Sequence, residues 1–317
     1  MSLLYSRIKE TKDNITHSIE TVQSDLLTAF PIQRCIDLMD SYKGYGKYGY
    51  FPDTLQQHCK EIIQRTSTHT LENYNKLLML TFMESFGVRS SQRSLPASVI
   101  RLFSIEFDRM IDEMNSDREG YYLFSHDAFL KDLGMCRCKL YPCGAELLDE
   151  RSGVPKSILL RNGIKQLIHG SLFFLINGNG FRPYYELHMH APFRQAFTDV
   201  GWIRSYLRIA DLLQLNPHVK GISCTSWWYD PQVSVISPRL SYLRQQPLEG
   251  RAKIFYVALD AEAAYGAIEK SEKRRALYEA GKYVPKLYMM VWARDDLINW
   301  TKQFRVALND SVQMNDG

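Results

Sequence analysis

Glu186-Leu187-His188-Met189-His190 is the run whose residue types and spacing could do chemistry most directly. On a strand, alternate residues share a face, so Glu186, His188 and His190 would point one way and Leu187 and Met189 the other. Two imidazoles and a carboxylate on one surface form a donor set for a divalent metal. The same groups could supply a general base, or they could be the solvated side of a half-buried strand.

Three further stretches carry reactive residue types. Cys136-Arg137-Cys138-Lys139-Leu140-Tyr141-Pro142-Cys143 has a Cys-x-Cys-x4-Cys spacing without the matching second pair of a zinc site, so its thiols read as small hydrophobes on a strand. Gly221 to Pro231 places Cys224, Trp227 and Trp228 at the end of a candidate strand, the edge where α/β domains bind ligands. Cys224 could be a nucleophile with a histidine as its base, or a buried thiol beside aromatics that fill a core or line a pocket. The loop 42–50, with three glycines, Lys43 and Lys47, could cradle an anion or serve as a surface contact.

These residues need elements to hold them. Ile15, Ile19, Val22, Leu26 and Leu27 recur at helical spacing, and helices are expected over about 3–40, 53–86 and 97–115. The pattern changes near Gly134. Residues 136–148 alternate like a strand, Ile158-Leu159-Leu160 is a short strand candidate, and Asn177-Gly178-Asn179-Gly180 turns the chain into the strand Tyr184–His190. A helix over 198–215 follows, capped by Thr198 and stopped by Asn216-Pro217. Strands at 219–225, 253–257 and 286–292 then alternate with helices at 238–243, 261–280 and 295–304. The expectation is an α/β or α+β protein: a mainly helical domain over 1–134, then a mixed sheet with helices on its faces over 135–317.

Charge follows the same division. Residues 1–135 hold 15 Lys/Arg against 18 Asp/Glu, and the remainder holds 24 against 17, a net of +7. The total of +4 is no footprint for nucleic acid, whereas the basic half suits an anionic small molecule or is a solvated face. The N-terminus turns polar too early for a signal peptide, and the most apolar stretch, 171–176, is too short to span a bilayer. Six scattered cysteines suggest reduced thiols, and with them a soluble, cytoplasmic protein.

The C-terminal element order resembles the GNAT acyltransferase fold, in which a central strand feeds a helix that holds acyl-CoA. Two registers fit. In the first, Tyr184–His190 is that strand, 198–215 the helix, 219–225 the next strand, and Ser237–Leu243 the helix bearing the family's tyrosine. In the second, Lys253–Val257 is a strand and Arg274-Arg275-Ala276-Leu277-Tyr278-Glu279-Ala280-Gly281 the tyrosine helix, similar to the family's A-L-Y-E-x-x-G ending. The resemblance implies a small-molecule N-acyltransferase using acyl-CoA or another acyl thioester. Tyr242 or Tyr278 would protonate the leaving thiolate, and Glu186 or His188 would accept the amine proton. His190, Arg194, Cys224, Trp227 and Trp228 would border substrate or cofactor. The family's glycine-rich pyrophosphate loop has no counterpart in Ala191–Thr198, where the first glycine is Gly201. The alternatives are a metal-dependent enzyme built on Glu186, His188 and His190, and a non-catalytic scaffold.

Overall fold

A computed structural model describes residues 2–42, 47–116, 119–190, 192, 196–259, 266–269 and 271–313. The chain divides into two compact units, Met1–Pro142 and Cys143–Gly317. Gly134, near which the boundary was expected, lies inside a helix of the first unit.

The first unit is helical, as expected: α1 (Ser2–Val22), α2 (Leu26–Ala29), α3 (Ile32–Ser41), α4 (Asp53–Arg65), α5 (Thr68–Glu84), α6 (Phe86–Ser91), α7 (Ala97–Met114) and α8 (Asp127–Cys136), closed by the short strand β1 (Leu140–Pro142). α5 is its axis. Ser67 caps that helix by accepting a hydrogen bond from the Thr70 amide at 3.2 Å. Its buried residues, among them Tyr74, Leu77, Leu78, Met79, Leu80 and Phe82, run round the whole cylinder, the mark of a helix enclosed by neighbours. Cys136 ends α8 and Cys138 follows in a left-handed turn, so neither is on a strand, although both are buried as small hydrophobes.

One charged cluster is folded into this unit. The Arg109 guanidinium donates to Glu106 at 2.9 Å, to Glu113 at 2.7 Å and to Asp132 at 2.6 Å, and Tyr121 donates to Asp132 at 2.7 Å. The cluster ties α7 to α8, and Glu106 and Asp132 are buried.

The second unit is built on strands β2 (Glu146–Ser152), β3 (Tyr184–Met189), β4 (Gly221–Ser226), β5 (Lys253–Leu259) and β6 (Lys286–Ala293), side by side in the order β2-β3-β4-β6-β5. Its helices are α9 (Gly163–Ile176), α10 (Asp199–Leu215), α11 (Pro231–Ile236), α12 (Tyr242–Glu249), α13 (Glu272–Glu279) and α14 (Arg294–Gln313). β3 and β4 are parallel, and the other resolved ladders are antiparallel. A parallel pair needs a crossover, and α10 provides it. Thr198 caps α10 by accepting from the Gly201 amide at 3.1 Å, as its sequence position suggested.

Of the two registers, only the first contains a parallel pair; β5 and β6, which flank the tyrosine helix of the second, are antiparallel. Ile158-Leu159-Leu160 is a 3-10 turn rather than a strand, entered through Pro155.

Paired residues point to the same face of a sheet, so the registers assign sides. Glu146, Leu148, Leu187, Ile222, Cys224, Met290 and Trp292 share one face, and α10 covers it, with Tyr206 meeting Trp292 at 5.1 Å between ring centroids. The other face carries Tyr184, Glu186, His188, Ser223, Val291 and Phe255. There Phe173 and Phe174 of α9 close a core with Val154, Ile158 and Ala293. Gly221 begins β4 at φ 149°, where a Cβ would lie 2.0 Å from the Trp292 carbonyl oxygen, so no side chain fits.

Replacing Arg109 with Ala would leave buried carboxylates without their cation and should destabilise the protein by about 3–5 kcal/mol. Urea denaturation measures this. A loss under about 1 kcal/mol would reduce the cluster to the worth of a surface ion pair.

Candidate functional site

The ladder between β3 and β4 is short, joining Tyr185 to Ile222 and Glu186 to Ser223. Beyond it each strand pairs with its outer neighbour. Leu187, His188 and Met189 pair with β2, and Cys224, Thr225 and Ser226 pair with β6. The ladder between the two parallel strands therefore ends short of their C-terminal ends, the end at which open α/β sheets receive ligands.

On the α10 face, this end is bordered by polar groups held among aromatic rings. Glu146 stands at the start of β2, opposite Met189, and is 1% exposed. Burial alone pushes its carboxyl well above the ordinary value of 4.5, with no cation to oppose the shift. Its Oε2 atom has no hydrogen-bond partner. The Tyr206 and Tyr242 hydroxyls are likewise buried without a partner. Tyr242, on α12, lies with its ring 6.5 Å from Trp202, and its hydroxyl is pushed up to about 12 by burial first, then by Asp199 and Glu146. Trp202 also meets Trp228 at 6.2 Å and Phe197 at 5.6 Å. Cys224 and Tyr229 complete the group, and burial raises both well above their usual values.

Burial thus pushes every titratable member of this group the same way: Glu146, Tyr206, Tyr229, Tyr242 and Cys224 all have their protonated forms favoured. All are proton donors, and all belong to one aromatic-walled group on one side of the sheet. Burial raises the Cys224 thiol, which disfavours its thiolate form.

Glu186 and His188 face the other way, with intermediate exposure. Glu186 accepts a hydrogen bond from Ser152 at 2.7 Å across the β2–β3 ladder. The alternation of the strand is as the sequence indicated, with Leu187 buried on the opposite side, although Met189 at the strand end is 42% exposed rather than in the core. His190 is buried just past β3, where its amide donates to the Ala145 carbonyl at 3.0 Å. The three are not gathered for a metal: among the described residues no group of three or more His, Cys, Asp or Glu could hold one ion.

The remaining candidates divide. Trp228 belongs to the aromatic wall. Trp227 is covered by the Arg274 guanidinium at 4.6 Å. Arg274 also donates to Ser237 at 2.8 Å and to the Ala267 carbonyl, so the residue that opens the A-L-Y-E-like motif is a tether of α13. Tyr278 is 41% exposed and absent from the enclosure. Arg194, and Lys43 with the glycines of the 42–50 loop that precede Lys47, lie outside the described residues.

No family model matches this sequence, and no curated relative was found for it. Its structure is similar to the crystal structure of an acyltransferase in complex with decanoyl-CoA and teicoplanin, with a TM-score of 0.50 at 12% identity over 86% of this chain and 80% of that one. A second, of an acyltransferase in complex with decanoyl-CoA, gives 0.49 at 13% identity over 90% and 93%. The first shows a shared α/β fold.

The buried Glu146 sets a pH signature. Above pH 4.5 the unfolded chain releases a proton that the native carboxyl keeps, so this group lowers stability as pH rises towards its native pKa. Glu146→Gln lacks that loss. The variant should therefore gain on the wild type by about 1.4 kcal/mol per pH unit above about pH 5, levelling off once the native carboxyl ionises. Urea midpoints across this range give the difference, and one that stays constant with pH would contradict an uncharged Glu146.

Proposed function

We propose that the second unit is a GNAT-type N-acyltransferase that holds an acyl thioester, such as acyl-CoA, where the β3–β4 ladder ends. The observation that carries this reading is that the β3–β4 ladder ends after Glu186 and Ser223, with Glu146 on one face of the sheet near that end and Glu186 and His188 on the other. Tyr242 and Glu146 border it on the α10 face; Glu186 and His188 border it on the α9 face. A thioester lodged between the strands would be reached from both.

Each group then has a role set by its protonation state. The acceptor amine attacks the thioester carbonyl carbon, forming the C–N bond, while His188, next to Glu186 on that face, takes the amine proton. The C–S bond breaks, and the departing thiolate receives a proton from Tyr242, which burial keeps protonated. Glu146, a neutral acid in the same enclosure, is a second proton source and adds no repelling negative charge beside the thiolate. The acyltransferase-like fold and the basic charge of this unit, 22 Lys/Arg against 17 Asp/Glu over 143–317, which suits a donor carrying phosphates, support the same reading.

Isothermal titration with acyl-CoAs of increasing chain length should give saturable binding to the wild type. Free-thiol release in the presence of amines should then fall about 10²–10⁴-fold in kcat in Tyr242→Phe or His188→Ala, with KM little changed. Absence of binding by any acyl-CoA would overturn the proposal, and undiminished kcat in both variants would overturn the assignment of roles.

A further inference from the structure

α9 carries apolar residues on both its buried and its exposed sides, and only one side of it is covered. Gly170, Phe173 and Phe174 are buried against the sheet. On the side facing outward, Ile164 is 65% exposed, Ile168 52%, Leu172 50%, Leu175 77% and Ile176 70%, with Leu160 just before the helix at 72%. Spacings of four, four, four and three from Leu160 to Leu175 align these residues in one stripe. An apolar stripe of this length on a folded surface marks a docking face.

Charge decides what docks there. From Arg151 to Tyr185 the sequence contains five Lys/Arg (Arg151, Lys156, Arg161, Lys165 and Arg182) and no Asp or Glu. Lys156, Arg161 and Lys165 are exposed beside the stripe. Where α9 meets β5, a groove of about 570 Å³ sets Lys165, His169 and Lys253 next to Leu172, Ile176 and Ile254. Cations alternating with apolar surface match an anionic headgroup and its hydrocarbon. A second copy of this face would bring like charges together. At 14 residues α9 is about 21 Å long, too short to cross a bilayer, and no helix among the described residues is long and apolar enough to do so.

We propose that α9 is an interfacial helix that seats the protein on an anionic lipid surface, its stripe entering the headgroup–acyl boundary and its cations pairing with lipid phosphates. The assignment does not rest on acyl transfer, because the stripe points away from the sheet and from the end of the β3–β4 ladder.

Co-sedimentation of the full chain with vesicles of phosphatidylcholine and phosphatidylglycerol in equal parts tests it. The wild type should partition to these vesicles, weakly to phosphatidylcholine alone, and less as salt is raised. Lys165→Gln should weaken partitioning about fivefold, and Ile168→Glu should abolish it with the melting temperature unchanged, since both side chains are exposed. Wild-type protein left in the supernatant would overturn the proposal. So would light scattering that shows a dimer which Ile168→Glu dissociates, the stripe then belonging to a second copy.

Discussion

Two strands that run the same way cannot be joined by a tight turn, and the second unit is organised around that constraint. The chain leaves β3, crosses through α10 and returns as β4. The crossover lays Trp202 and Tyr206 on the sheet, where Tyr206 packs on Trp292 and Trp202 on Trp228. It also brings the C-terminal ends of both strands to one edge. There β2 and β6 pair with the outer sides of the two strands, and the β3–β4 ladder ends after Glu186 and Ser223. The site is a consequence of topology before it is a set of side chains.

The aromatic wall explains how proton donors can be stored at that edge. A buried polar group without a partner costs about 1–3 kcal/mol. Glu146, Tyr206 and Tyr242 all meet that description, and they stand among the large rings of Trp202, Trp228 and Trp292, which bury enough apolar surface to offset it. Burial that raises a pKa without a compensating charge is an arrangement found where proton transfer is needed. In the first unit, by comparison, the buried Glu106 and Asp132 each lie against the Arg109 guanidinium, at 2.9 and 2.6 Å.

Much of this was legible from sequence, for identifiable reasons. α10 announced both its ends, through the Thr198 cap and the Asn216-Pro217 stop, and alternation placed Glu186 and His188 on one face. α9 was missed because apolar residues on its exposed as well as its buried side blur the helical period, and Ile158-Leu159-Leu160 is too short an apolar run to separate strand from turn. Glu146 left no trace. A glutamate in Gly-Ala-Glu-Leu-Leu reads as a solvated strand position, and only its burial in the folded unit raises its pKa. Tyr278 is the opposite case: its local motif resembles the family's, yet it follows β5, which pairs antiparallel with β6, and it is 41% exposed.

The most direct measurement of the central claim is amide hydrogen–deuterium exchange of the full chain with and without an acyl-CoA. If the thioester lies where the β3–β4 ladder ends, protection should rise in Leu187–Met189 and Cys224–Ser226 and leave α13, with Tyr278, unchanged. Protection confined to α13, or no change in either strand end at saturating ligand, would contradict the account.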